Sequence, residues 1–189
     1  MTENGEGQVI KSENFSKKSL DNQTFTDCRF TACDFTESTL RNAKFTSCIF
    51  DKCNLSLMKL AGCRFAGVQF VDCKIVGADF SECEKTFFSA SFRNCLMQYC
   101  NFSELNLKNG SFKGSRVKDS HFSSTQLTCA DFSEVDLSGT VFHQCDLSKA
   151  DFSTATCFDI DPLTNKIKKA KFSLPEAVGL LRGFDITIV

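Results

Sequence analysis

An apolar residue returns at every fifth position of this chain, first from Ile10 to Phe80 and then, two residues out of step, from Phe87 to Phe152. All 29 positions on that beat are apolar, and 17 of the 21 phenylalanines fall on them. A period of five matches neither the turn of an amphipathic helix nor the alternation of a half-buried strand. It is an internal repeat, and a repeat of this kind predicts a solenoid.

Within each repeat, the large apolar centre and the residue two places before it flank one polar residue. On extended backbone both side chains therefore point the same way, inward. The core of the solenoid is expected from centres such as Phe30, Phe50, Phe70, Phe112, Phe132 and Phe152. The slot two before the centre takes small residues, among them Ala43, Ala78, Ala130, Ser38 and Val135. Ten of the twelve cysteines (all but Cys129 and Cys157) share that slot, which reads as packing rather than chemistry, because a free Cys behaves as a small hydrophobe. His121 and His143 occupy different repeat positions and stand beside no zinc-finger cysteine pair. No metal and no cofactor is expected. The remaining positions are mostly Ser, Thr, Asp, Asn, Lys and Gly, which suit corners.

Stretches such as ADFSEVDLSGTVF, CDLSKADFSTA and CRFTACDFTESTL resemble the pentapeptide-repeat family, whose consensus is A(D/N)LxX. The resemblance spans about residues 10–156. It implies an all-β solenoid, a right-handed quadrilateral β-helix with four pentapeptides to a coil, of about seven coils. Residues 1–9 read as a polar lead and 157–189 as a C-terminal cap, with the phase slip at 81–87. The slip reads as a bulge or as a protruding contact, with one of Phe87 and Phe88 facing outward.

After Phe152 the repeat fades. Ser173, Pro175 and Glu176 have capping-box spacing, which predicts a short helix over about 174–182, followed by a strand-like tail. Leu174, Val178, Leu181 and Phe184, with Ile186 and Ile188, read either as a plug over the last coil or as a dimer interface. This order resembles the quinolone-resistance branch of the family, the Qnr and MfpA types. The resemblance implies a non-catalytic homodimer, shaped like duplex DNA, that binds a type II topoisomerase, DNA gyrase or topoisomerase IV. An interaction scaffold with another protein partner is the alternative.

The net charge of −1 argues against direct nucleic-acid binding, which normally needs a clustered basic surface. Between Asp131 and Asp161 the balance is locally acidic, and Asp131, Asp136, Asp146, Asp151 and Asp159 are the expected partner surface. Four of these are also what the repeat consensus favours ahead of a centre. Lys166, Lys168, Lys169 and Lys171 then reverse the sign. The polar, acidic start is unlike a signal peptide, no apolar run approaches a membrane span, and the expected location is cytoplasmic. No phosphate loop or convergent acid, base and nucleophile suggests an enzyme.

Overall fold

The computed structural model describes residues 4–184 and 186. The chain winds into a β-solenoid of about eight turns, rather than seven. Additional rungs lie at both ends: Asn4–Glu6 pairs with Thr24–Thr26, and Lys171–Phe172 pairs with Asp151–Phe152. Parts of the polar lead and of the cap thus belong to the ladder.

Successive coils pair in parallel at a register of 20 residues, as in Thr24↔Lys44 and Lys44↔Arg64. Twenty residues are four pentapeptides, so each coil has four faces. We number them in chain order by the centres they contain: the first holds Phe25, the second Phe30, the third Phe35 and the fourth Leu40. Short strands of two to four residues or single bridges stack on all four. The corners follow one rule. At nearly every corner the second residue after a centre adopts a left-handed conformation, whether it is Gly, Asn or a residue as ill-suited as Leu57 (φ 58°) or Tyr99 (φ 54°); Glu82 and Thr154 depart from it. Gly139 (φ 70°) shows the local logic, because a Cβ there would lie 2.3 Å from Oδ1 of Asp119 in the coil below.

The core is the stack of inward centres. Phe30, Phe50, Phe70, Phe112, Phe132 and Phe152 are fully buried. On the second face the centres are phenylalanine without a break from Phe30 to Phe172. The seven successive ring pairs lie 4.7–5.3 Å apart and within 16° of parallel. Neighbouring columns meet them edge-on, as Phe92 meets Phe102 at 76°. Offset stacks along the axis combined with edge-to-face contacts across it suit the aromatic quadrupole.

The slip lengthens one coil to 22 residues, as in Val68↔Ala90 and Lys74↔Leu96. Phe87 is not a centre: it is 53% exposed, and Phe88, at 5%, fills the column instead. The two added residues pass outward, and the interior keeps its aromatic. At the far end a 3-10 helix, Glu176–Phe184, replaces the expected helix over 174–182. Ser173 contributes its backbone carbonyl, which accepts from the Ala177 N–H. The strand-like tail, Ile188 included, lies outside the described residues apart from Ile186. No helix among the described residues is long and apolar enough to cross a membrane.

Candidate interaction surfaces

An Asp immediately before a centre has a defined task in this fold. Its carboxylate accepts from the N–H and the hydroxyl of the residue two further on. Asp131 accepts from Ser133 (N 2.9 Å, Oγ 2.6 Å), Asp136 from Ser138 (3.1 and 2.5 Å), and Asp151 from Ser153 (3.0 and 2.6 Å). Asp34 and Asp79 do the same far from the C-terminal region. These are local side-chain turns that hold corners, which explains the consensus without invoking a partner.

Several of the acids are also matched by cations. Lys171 Nζ lies 2.8 Å from Asp151, and Lys118 Nζ 2.9 Å from Asp136. The Lys171 ammonium, then Ser153, hold the Asp151 carboxyl down at about 2. At Asp136 burial opposes ionisation, yet Ser138 and Lys118 outweigh it and the pKa is lowered. The Ser148 hydroxyl leads the lowering at Asp146, with Lys166 adding to it.

The 20-residue register does not bring the five expected acids together. Asp131 and Asp151 stack on the second face, while Asp136 lies on the third, Asp146 on the first and Asp159 on the fourth. Charge is nevertheless segregated around the rod. Over residues 90–174, the first and second faces carry eight Lys and Arg against four Asp and Glu; the third and fourth carry two against five. The acidic half holds Asp136 and Asp159 from the expected set, together with Glu104, Asp119 and Asp161. Sequence reasoning missed those three as a group because only the coil length reveals which residues share a face.

Ten cysteines are buried, and Cys129 and Cys157 are exposed. Seven of the buried Sγ atoms donate to carbonyls of the preceding coil, as Cys48 does to Phe25 O (3.4 Å) and Cys100 to Ile75 O (3.4 Å). Burial pushes both thiols up to about 11, so they stay protonated and unreactive at neutral pH. Among the described residues no group of three or more His, Cys, Asp or Glu is arranged to hold a metal ion.

The C-terminal helix divides its apolar residues. Leu180 packs on the core with Ile167 and Phe172, so these close the last coil. Leu174 (80% exposed), Val178, Leu181, Phe184 and Ile186 do not form that plug and face away from it. In a 3-10 helix residues three apart eclipse, so Val178, Leu181 and Phe184 form one row. Val178 and Leu181 of that row line a groove of about 580 Å³, whose walls include Cys157, Phe158, Pro175 and Ile186. At the slip, Phe87 lies over the Arg64 guanidinium (4.5 Å), which Glu84 grips through two hydrogen bonds of 2.8 and 3.0 Å.

No curated protein matches the chain. The fold superposes on two trypsin-treated variants of QnrB1, a plasmid-mediated fluoroquinolone resistance protein, with TM-scores of 0.69 and 0.68. Identity is 20% and 21%; the alignments cover 98% of this chain in both cases and 99% and 97% of theirs. Residues 43–122 match the model of a pentapeptide repeat region, and residues 24–57 and 125–155 that of pentapeptide repeats. With the register, the corners and the stacked centres agreeing, the chain belongs to the pentapeptide-repeat proteins.

Proposed function

We propose that this protein is a non-catalytic, dimeric rod that binds a type II topoisomerase through its acidic half. The observation that supports this most is the fit of nearly the whole chain to the fold of QnrB1, a fluoroquinolone resistance protein. The exposed row of Val178, Leu181 and Phe184, with Leu174 and Ile186, supplies a self-complementary apolar surface for a twofold partner. Pairing there doubles the rod about its C-terminal end. The acidic third and fourth faces of the two copies then offer carboxylates to a groove that normally accepts DNA. Asp136 and Asp159 remain part of the partner surface, joined by Glu104, Asp119 and Asp161, although Asp136 is also a corner tie paired with Lys118; Asp131, Asp146 and Asp151, on the other half, act as corner ties.

Supercoiling by purified gyrase, with and without a quinolone, tests the reading: the protein is expected to alter activity or drug sensitivity at micromolar concentration. No effect on gyrase or topoisomerase IV overturns it in favour of a scaffold for another protein. Light scattering is expected to give about 42 kDa, twice the 21.0 kDa chain, falling to a monomer in Leu181→Glu.

A further inference from the structure

The net charge of −1 conceals a second surface, opposite the acidic half. Arg93, Lys108, Lys149, Lys166, Lys168 and Lys169 are all exposed on the first and second faces. Among the described residues none of the six has a carboxylate within 4.0 Å, whereas Lys113 and Lys171 on the same half pair with Glu134 and Asp151. The backbone ladder makes these cations neighbours. Asn109 N–H donates to Thr128 O, Cys129 N–H to Ser148 O, and Lys149 N–H to Lys168 O, so Lys108, Lys149, Lys168 and Lys169 follow one edge of the rod across an uncharged rung at Thr128 and Cys129, while Lys166 lies within the first face beside Asp146 and Arg93 at the far corner of the second. That edge is straight because the coils stack in register. From the coil of Lys108 to that of Lys169 it climbs three rungs, roughly 14 Å at strand spacing. Beside it, Ser91 and Ser111 leave a hollow of about 700 Å³ between Gln69, Arg93, Lys113 and Asp131. At physiological salt, charges more than about 8 Å apart are largely screened, so the acids across the rod do little to cancel this edge.

We infer that this basic edge docks the phosphate backbone of duplex DNA. An edge of exposed cations without ion-pair partners calls for a dense polyanion. Duplex DNA presents one negative charge per about 1.7 Å of its axis, both strands counted, so an edge laid along it meets a dense field of phosphate. Lysine suits such a partner, being a point charge that needs no fixed bidentate geometry. The hollow gives the ridge of a backbone room to approach. Binding is without base readout, since the contacts are to phosphate alone. The inference does not rest on the topoisomerase reading, and its test contains no topoisomerase.

The experiment is fluorescence anisotropy of a labelled duplex of about 20 base pairs, titrated with the full chain from about 50 to about 200 mM salt. Expected is a Kd between about 1 and 100 μM that weakens as salt rises. The variant Lys149→Gln, Lys168→Gln, Lys169→Gln is expected to weaken binding at least tenfold, with the slope of log K against log salt smaller by about three. Its melting curve should be unchanged, because all three side chains are exposed. A control with the same change in net charge, Lys52→Gln, Lys59→Gln, Lys74→Gln, is expected to stay within twofold of the parent. Three results overturn the inference: no binding at the lowest salt, equal loss in the control, or poly-glutamate binding as tightly as DNA through the same lysines. The last would assign the edge to an acidic protein instead.

Discussion

The rod is interrupted twice, and the two interruptions differ in what they do to the register. At 81–88 the coil gains two residues and never returns them, so every later centre is displaced in sequence but not in space. In the last coil the register shortens to 18 at Val141↔Asp159 and is back at 20 by Asp146↔Lys166. Both sites set an exposed residue beside a buried phenylalanine: Phe87 beside Phe88, and Cys157 beside Phe158. The first correction is outward, a bulge held by Arg64, Glu84 and the Lys85–Glu104 ion pair. The second is inward and polar. Asn165 fills the small slot, accepting from Cys145 N–H (2.9 Å) and donating to Phe142 O (2.9 Å). Full coils lie on both sides of the first site, so its interior column must stay apolar. The second lies under the cap, where a satisfied amide can take part of the column. Both show that the fold holds its interior columns and lets the count of residues vary.

That contrast can be tested in order of effect. Phe132→Asp places an unpaired charge in a fully buried column that neither interruption touches, and cooperative thermal unfolding by circular dichroism is expected to disappear. Phe88→Ala removes the ring that restores the column at the slip. It should cost about 3–5 kcal/mol in denaturant unfolding; an effect below about 1 kcal/mol would mean that Phe87 can replace it. Asn165→Ala strands a buried N–H and carbonyl, with an expected loss of about 1–3 kcal/mol.

The tie between the last two coils is sensitive to acid. The Asp151 pKa is lowered to about 2 in the folded chain, against about 3.9 unfolded. Its contribution is therefore complete above pH about 4 and lost as pH falls towards about 2. Asp151→Asn should flatten the pH dependence of stability in that window. The smallest effect belongs to Phe87→Ala. Its half-exposed ring and cation–π contact with Arg64 are worth about 0.5–1 kcal/mol, measured as a difference from Phe88→Ala.

Much of the architecture was legible because burial by five-residue steps leaves a direct trace in residue type. The inward centres, the small slot and the inert cysteines follow from that trace. Its limits were equally physical. Periodicity at Phe87 and Phe88 cannot say which of two adjacent phenylalanines turns in, since that depends on how the two added residues are accommodated. The left-handed corners at Leu57 and Tyr99 carry no glycine signature, because the ladder on either side imposes the conformation. The acidic residues between Asp131 and Asp161 form a run in sequence but not a surface in space.

The sequence by itself determined that the chain must be a solenoid with a phenylalanine-rich core, because only a repeating inward turn buries every fifth residue. Tertiary structure decided which residues share a face, because that depends on the 20-residue coil and on the two places where its length changes. The polarity of the rod over residues 90–174, basic on one half and acidic on the other, follows from that coil length and from no local pattern.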